Sequence, residues 1–273
     1  MKPGRSHSLS SPKGFRGGGP KYYLMMSVVP RLREEEKVAL LHLAEEWKER
    51  GRLEPNTCWD FESQDVPGKQ RGDWRYNGVT PAEVVENLVR RYTRPGELVV
   101  DCMAGSGTTL DVARELGRRV YGFDLSPHRK DIIRNDARHI PLESDTVDLH
   151  IVDSPYSDNI QYSSDPRCLG SISCEEGRFY DEMGRVIAEL HRTLKPGKLL
   201  AWIISDQLEG GRFTPVGFQL YERLLRHFEP VDIVMLPVHN GRTQSPKWEH
   251  AARTHNFLLR GFKYLFLMRK RGE

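Results

Sequence analysis

The sequence predicts an α/β domain with a mostly parallel, doubly wound sheet. From Thr80 onward, short apolar runs of strand length alternate with longer segments whose apolar residues recur at helical spacing. This alternation is typical of strands joined by crossover helices. The first of these strands also runs directly into a glycine turn and a helix, an arrangement that open α/β sheets use at ligand sites.

The separate elements follow from the same periodicity. Thr80-Pro81-Ala82-Glu83 predicts a helix start, with Thr80 as N-cap, Pro81 at the first helical position and Glu83 completing a capping box. A turn at Lys195-Pro196-Gly197 ends a later helix. The predicted helices are residues 30–50, residues 80–92, Asp111–Leu116, Glu175–Leu194 and Pro215–Phe228. The predicted strands are Leu98–Cys102, Arg119–Phe123, Val147–Val152, Leu199–Ile204, Val231–Leu236 and Tyr264–Met268.

Three segments organise the chain of 273 residues. Residues 1–30 are rich in Gly, Ser, Pro and basic types, which predicts a disordered basic arm. Residues 31–79 predict a helix and then an ordered loop whose aromatic side chains pack on the main domain. Residues 80–273 predict the main domain itself. The loop aromatics are Trp59, Phe61, Trp74 and Tyr76.

Composition narrows the function classes. No run approaches the roughly 20 apolar residues of a membrane span, and no apolar stretch follows the basic N-terminus as in a secretory signal. We therefore expect a cytoplasmic protein without a metal site, whose four cysteines are reduced thiols, some of them buried. The net charge is only +3, but Met1 to Arg33 holds seven basic residues and no acidic one. Such an arm suits contact with phosphates, or it is solvated charge that aids solubility.

The first candidate site is the glycine turn after the strand Leu98–Cys102. Gly105 and Gly107 let the backbone approach a ligand closely. The free N–H groups at the start of the following helix suit an anionic group, such as the carboxylate of S-adenosylmethionine. Dinucleotide-binding turns carry a third glycine where Leu110 stands, which disfavours a dinucleotide oxidoreductase.

Two acids in the next loops extend this site. Asp124 ends the second strand, where an acid can accept hydrogen bonds from a ribose. Asp136 lies just past a predicted helix and can accept a hydrogen bond from the adenine amino group of the cofactor, or it is an ordinary solvated loop acid.

The second candidate site is the tetrad Asp153-Ser154-Pro155-Tyr156, which follows the strand Val147–Val152. The Asp153 carboxylate and the Ser154 carbonyl can accept the two N–H hydrogens of an exocyclic amine and stabilise its developing positive charge. Pro155 stiffens the loop, and Tyr156 offers a ring on which a flipped base can stack. The tetrad therefore predicts methyl transfer to the amino group of a base.

These motifs resemble the amino-methyltransferases that modify DNA at adenine-N6 or cytosine-N4. The glycine motif of that family is similar to Asp101–Thr109, its catalytic motif is similar to Asp153–Tyr156, and its Thr-Pro-led helix is similar to the helix after Thr80. The motif order resembles the gamma arrangement of the family. The closing strands resemble the antiparallel hairpin that ends the Rossmann-like methyltransferase sheet.

The resemblance implies S-adenosylmethionine as cofactor and DNA methylation of the restriction–modification kind. It implies catalytic roles for Asp153, Ser154, Pro155 and Tyr156. It implies cofactor contacts from Thr80, Asp101, Met103, Gly105, Ser106, Gly107, Thr108, Thr109, Asp124 and Asp136, with Thr80 helping to hold the cofactor carboxylate.

Two departures from the family pattern leave alternatives open. Ser154 stands where the family has a proline, and the chain lacks room for a large target-recognition domain. The loops Ser157–Cys174 and Pro237–Arg260 are the sizeable candidates for reading a nucleic acid, or they are plain surface loops. DNA adenine-N6 is favoured over cytosine-N4, because Asp is the first residue of the tetrad. The alternatives are an RNA base amino-methyltransferase and a binding module that has lost catalysis.

Overall fold

The computed structural model describes residues 53–61, 71–73, 75–76, 78–239 and 245–272. The predicted basic arm and the predicted helix over residues 30–50 lie outside these described residues, as does Trp74. The helices are α1 (Ala82–Tyr92), α2 (Thr108–Glu115), α3 (Gly177–Thr193), α4 (Val216–Leu224) and α5 (Pro246–Thr254), with a short 3-10 helix at Leu169–Ser171. The strands are β1 (Leu98–Asp101), β2 (Arg119–Asp124), β3 (Ile133–Arg134), β4 (Val147–Asp153), β5 (Leu194–Ile204), β6 (Gln207–Glu209), β7 (Arg212–Thr214), β8 (Phe228–Pro237) and β9 (Phe262–Lys270).

One sheet organises the described residues. Seven of their strands pair in the order β3-β2-β1-β4-β5-β9-β8. The pairs from β3 to β5 are parallel, whereas the last strand, β9, runs antiparallel between β5 and β8. The predicted α/β fold, with a mostly parallel sheet and an antiparallel last strand, is confirmed. The carboxyl ends of β1, β2, β4 and β5 and the start of β9 lie along the same edge, where such sheets bind ligands.

Helices cover both faces of this sheet, as the doubly wound prediction requires. On one face, α3 presents Phe179, Met183, Ile187 and Leu190, which recur every three or four residues and are fully buried. They pack in a core cluster that also contains residues of α4 and β5. On the other face, α1 and α2 bury their apolar residues in a second cluster against β4 and β5. Apolar burial of this extent is the main force that holds the sheet and helices together.

The predicted N-cap role of Thr80 is wrong. Helix α1 begins at Ala82, and Pro81 is at the N-cap position without a side-chain cap. The Thr80 hydroxyl instead donates to Asp153 Oδ2 at 2.5 Å. As an N-cap the hydroxyl would accept from a backbone N–H, whereas here it donates to a carboxylate, which makes a stronger, charge-assisted hydrogen bond. A tertiary contact thus replaces the local one.

The predicted start of the fourth strand at Leu199 is also wrong. Strand β5 begins at Leu194, so the predicted turn Lys195-Pro196-Gly197 lies inside it. Val147 pairs with Leu194 and Leu149 with Leu199, which makes the intervening residues of β5 bulge from the ladder. Gly197 has a φ of 75°, a left-handed value that glycine accommodates and most residues do not.

Three further elements differ from the sequence predictions. The short strand β3, not a helix, precedes Asp136. The predicted loop Pro237–Arg260 contains α5, none of whose residues is buried, so it lacks the apolar stripe that signals a helix. The hairpin β6–β7, which the sequence analysis did not identify, follows β5 directly.

The composition-based expectations concern membranes, thiols and metals. None of the described helices is long and apolar enough to cross a membrane. All four cysteines are free thiols, with Cys58 exposed and Cys102, Cys168 and Cys174 buried, as predicted. Within the ranges that the structure describes, His, Cys, Asp and Glu side chains form no cluster of three or more suited to a metal ion.

Candidate active site

A cavity of about 1850 Å³ opens at the carboxyl edge of the sheet. It brings together both candidate sites of the sequence, although their residues come from four different strand ends and loops. Of the fourteen predicted site residues, Gly107 alone is not on its wall. The lining residues among them are Thr80, Asp101, Met103, Gly105, Ser106, Thr108, Thr109, Asp124, Asp136, Asp153, Ser154, Pro155 and Tyr156.

Asp101 shapes the glycine turn from the end of β1. Its Oδ1 accepts a hydrogen bond from the Met103 N–H at 3.0 Å, and its Oδ2 accepts one from the Thr109 hydroxyl at 2.7 Å. Burial raises the pKa of Asp101 to about 7, although both hydrogen bonds oppose this shift. Asp101 is thus tied to both ends of the turn, which fixes the path of the backbone between them.

The two glycines of this turn are required by their surroundings. Gly105 has a φ of 43°, and a Cβ there would lie 2.8 Å from the Tyr76 ring. Gly107 has a φ of 84°, and a Cβ there would lie 2.5 Å from the Arg129 guanidinium. Side chains at either position would be strained and would clash. The backbone can therefore come close to whatever the cavity holds at Gly105.

Leu110, in the place of a third glycine, packs against Gly122 of β2. A Cβ at Gly122 would collide with the Leu110 side chain, which is fully buried. In dinucleotide-binding turns, a glycine on the helix allows the helix and strand to pack closely. Here a glycine on the strand, Gly122, has that role. The helix α2 keeps its position with a larger side chain.

Asp124 joins the end of β2 to the glycine turn. Its Oδ2 accepts from the Gly105 N–H at 3.0 Å, and its Oδ1 accepts from the Ser126 N–H at 2.9 Å. Burial raises its pKa despite these two hydrogen bonds. Each carboxylate oxygen has two lone pairs, so Asp124 retains acceptor capacity on the cavity wall. Its ribose role stays a prediction.

Asp136 is held by a neighbouring arginine. Arg138 donates through Nε at 2.8 Å and through a terminal nitrogen at 2.6 Å, and it also pairs with Glu182 at 2.5 Å. Burial opposes ionisation of Asp136, but the Arg138 hydrogen bonds outweigh it and lower its pKa. Both oxygens of Asp136 already accept from Arg138, so the adenine amino group of the cofactor would have to share this carboxylate with Arg138. This role of Asp136 stays a prediction.

Asp153 stands at the end of β4 with two donors. The Thr80 hydroxyl donates to Oδ2 at 2.5 Å, and the Lys263 ammonium lies 3.0 Å from Oδ2 and 3.2 Å from Oδ1. The side chain of Asp153 is partly exposed to the cavity. The carboxylate is therefore anchored from two distant elements while it faces open space. Lys263 was missed as a site residue, because it lies 110 positions along the chain from Asp153.

Ser154 explains one departure from the family pattern. Its hydroxyl accepts a hydrogen bond from the indole N–H of Trp202 at 2.8 Å, and both residues are buried. A proline at this position would leave that buried N–H without its acceptor, which costs about 1–3 kcal/mol. The Ser154 N–H donates to the Ile203 carbonyl at 3.3 Å, so the loop is held to β5.

Aromatic rings line the side of the cavity beyond the tetrad. Tyr76 stacks on Tyr162 with ring centroids 6.1 Å apart and meets His128 edge-on. Tyr156 is half-buried and packs against the core. Gly170 lets Tyr162 approach, because a Cβ there would lie 2.8 Å from its ring. Tyr76 thus contacts two residues of the predicted main domain.

The two candidate recognition loops also reach the cavity. Asn159, Tyr162 and Arg167 from the first, and Trp248 from α5 in the second, line it. Arg260 lies with its guanidinium 5.2 Å from the Phe213 ring centroid at the same rim. Asn240 and Arg242, two polar side chains of the second loop, lie outside the described residues.

Asp206, just beyond β5, was missed by the sequence analysis. It is buried, lines the cavity and accepts from the Gly217 N–H and the Tyr264 hydroxyl, each at 2.9 Å. A weaker form of the signal was present, because Asp206 comes two residues after a predicted strand, whereas Asp124 and Asp153 come directly after theirs.

Comparison with known proteins finds a family match over the part of the chain that contains the glycine turn. Residues 28–135 match the family model described as DNA methylase. The resemblance to the DNA amino-methyltransferases is confirmed. The matched stretch includes the glycine turn and Asp124, and it ends before the tetrad, so the catalytic roles of Asp153 to Tyr156 stay predictions.

Individual relatives were found among both sequences and structures. The chain is 33% identical to the Type II methyltransferase M1.MboII of Moraxella bovis over 101 residues, which is 35% of this chain and 38% of that protein. It is 24% identical to the Type II methyltransferase M.MthZI of Methanothermobacter thermautotrophicus over 168 residues, 62% of this chain and 41% of that protein. The chain thus covers well under half the length of these two relatives. The structure of TrmN from Thermus thermophilus superposes with a TM-score of 0.46 at 21% identity, covering 71% of this chain and 50% of that one.

Proposed function

We propose that this chain transfers a methyl group from S-adenosylmethionine to the exocyclic amino group of a base in DNA, with adenine-N6 favoured over cytosine-N4. The observation that carries this proposal is the single cavity shared by the glycine turn, Asp124 and Asp153. A methyl donor on the turn and an amine at Asp153 would then meet within one cavity. The matches to DNA methylases and Type II methyltransferases support the same chemistry.

The residues present suit this cofactor. Gly105 leaves the turn open where any larger side chain would fill the space beside Tyr76. Asp124 offers acceptor capacity for ribose hydroxyls, and the carboxyl groups of Asp124 and Asp153 on one wall favour a positively charged sulfonium. When bound, S-adenosylmethionine supplies the activated methyl group. The predicted contacts of Thr80, Met103, Ser106, Thr108 and Thr109 lie on the same wall.

Asp153 performs the central step in this proposal. Its carboxylate accepts an N–H of the target amine, and the Ser154 carbonyl accepts the other, which draws the nitrogen lone pair away from the ring. As the new N–C bond forms, the positive charge that develops on nitrogen lies beside the carboxylate, which stabilises it until the nitrogen loses one proton to solvent. Tyr156 supplies the ring against which an extruded base stacks. Adenine is favoured because an Asp leads the tetrad, as it does in the family members that this motif resembles.

The direct test is to supply labelled S-adenosylmethionine with DNA and with RNA in separate reactions, and to identify the labelled nucleoside by mass spectrometry. The proposal expects N6-methyladenine from DNA. Label in N4-methylcytosine would keep the DNA activity and correct the target base. Label only in RNA would replace the proposal with an RNA methyltransferase, and binding of nucleic acid without any transfer would replace it with a binding module. NAD binding without a response to S-adenosylmethionine would overturn the cofactor assignment.

A further inference from the structure

Lys263 is a cation with a defined place at the candidate active site. It is the second residue of β9, and its side chain is 20% exposed. Its ammonium contacts both oxygens of Asp153, at 3.0 and 3.2 Å, and lies 3.5 Å from the Gly78 carbonyl. It also lines the cavity. No motif of the sequence assigns it a role.

The two oxygens of Asp153 are held unequally. Oδ2 accepts the short bond from Thr80 and the closer contact from Lys263, whereas Oδ1 accepts the longer contact from Lys263. A carboxylate oxygen can accept two hydrogen bonds, so Oδ1 keeps capacity for a further donor. The carboxyl group is therefore anchored at Oδ2 and available at Oδ1.

Neither donor alone would fix this arrangement. Thr80 precedes α1 and reaches one oxygen, which leaves the carboxylate plane free to rotate about that contact. Lys263 approaches from β9 and bridges both oxygens, which sets the plane. Two anchors from elements far apart in the sequence also tie the carboxylate to the packed sheet and not only to its own loop.

Other acidic groups lie near Asp153. The negative charge of Asp153 contributes to the raised pKa values of Asp101, Tyr76 and Tyr162. Asp124 lines the same wall. A partly buried carboxylate among other acids is repelled by them and is costly to desolvate without a partner. Lys263 supplies that partner.

We propose that Lys263 is a positioning residue for Asp153. With Thr80 it holds Oδ2, so that Oδ1 faces the target amino group before the base enters. The inference rests on the proposed function, because it names how the acceptor of that reaction is aimed. It adds a residue on the last strand to a site otherwise built from the parallel half of the sheet.

The test compares Lys263→Met, Lys263→Arg and Lys195→Met in single-turnover methylation, with binding of cofactor and DNA measured separately. Methionine keeps roughly the length of the lysine side chain and removes its charge. Arginine keeps a positive charge that can bridge two carboxylate oxygens. Lys195 is the matched control. It pairs at 2.8 Å with Asp148, which lies on β4 like Asp153, and it does not line the cavity. Lys263→Met should lower the rate at saturation by about 10–100-fold, the scale of a misplaced reacting group. Its affinities for S-adenosylmethionine and DNA should stay close to the wild-type values, and Lys263→Arg should recover most of the rate.

Other outcomes overturn the inference. A wild-type rate in Lys263→Met would remove Lys263 from the reaction. Cofactor affinity lost in step with the rate would move Lys263 to the cofactor site. A loss of rate that Lys195→Met shares, or that Lys263→Arg does not relieve, would mark a merely structural role.

A second measurement separates this inference from the proposed function. If the wild-type protein methylates no nucleic acid, the proposed function fails, but the unfolding midpoints of Asp153→Asn, Lys263→Met and the double variant still decide whether the pair exists. A real pair predicts that the double variant loses less than the two single variants together. Additive losses would overturn the positioning role.

Discussion

The two ends of β4 carry the same chemical pair in different surroundings. At the start of the strand, Asp148 accepts from the Leu98 N–H at 2.9 Å and pairs with Lys195 at 2.8 Å and Lys198 at 3.3 Å. At the end, Asp153 accepts from Thr80 and pairs with Lys263 at 3.0 Å. Only 3% of the Asp148 side chain is exposed, against 26% of that of Asp153.

The comparison shows that an aspartate–lysine pair does not by itself mark a site. Asp148 ties the start of β4 to the start of β1 and is closed in by the fold. Its pKa is lowered, because the Leu98 N–H and the two lysines outweigh the effect of burial. Asp153 lies at the carboxyl edge, where its carboxylate meets a cavity. The first aspartate is expected to act on stability and the second on chemistry.

The largest effect on stability is expected at Asp148. Asp148→Ala leaves the buried Leu98 N–H without an acceptor and removes a charged hydrogen bond, so it should lower the free energy of unfolding by on the order of 3 kcal/mol. Chemical denaturation would measure the loss. A change of less than about 0.5 kcal/mol, the range of ordinary surface substitutions, would break the assignment of Asp148 to stability.

Tyr156 provides a second test of the chemical role assigned to the end of β4, where Asp153 lies. Tyr156→Ala removes the ring on which the extruded base would stack, which should weaken base engagement by about 1–3 kcal/mol. Tyr156→Phe keeps the ring and should do much less harm. Single-turnover assays beside melting curves give the measurement. Equal losses of rate in both variants would shift the role from the ring to the hydroxyl, and loss of stability in step with rate would leave Tyr156 as packing.

Asp101 gives an effect on stability that depends on pH and is small over any single pH unit. Its pKa is about 7 in the folded protein and 3.8 in the unfolded reference, so the folded protein holds the proton more tightly between these values. The free energy of unfolding should therefore fall as pH rises from 4 to 7, by at most about 1.4 kcal/mol per pH unit. Asp101→Asn does not titrate and serves as reference. Parallel stability curves for the two proteins would contradict the raised pKa.

The sequence predicted the carboxyl edge of the sheet better than it predicted the contacts across it. Asp124 and Asp153 were found because each follows a strand, and parallel strands bring their carboxyl ends together whatever lies between them. Lys263 was not found, because its contact with Asp153 depends on β9 inserting between β5 and β8. The N-cap role predicted for Thr80 was wrong for the same reason, since its hydroxyl donates to a residue 73 positions away.

Local sequence patterns did not predict elements that bury no apolar residues or contacts that form only in the folded protein. Helix α5 has no buried residue and therefore no apolar period to detect, although Pro246 at its start was a helix signal. The serine at position 154 counted only as a departure from the family pattern, because its partner Trp202 is identified only in three dimensions.

The most direct measurement of the account is single-turnover methylation by Asp153→Ala and Asp148→Ala, compared at a temperature where both variants are folded. Asp153→Ala should lose about 100–1000-fold in rate, the usual effect of removing one preorganised group that stabilises transition-state charge, while calorimetry finds its affinity for S-adenosylmethionine nearly intact. Asp148→Ala should keep a rate near that of the wild type and lose stability instead. An Asp153→Ala variant that methylates at close to the wild-type rate would contradict the catalytic assignment outright.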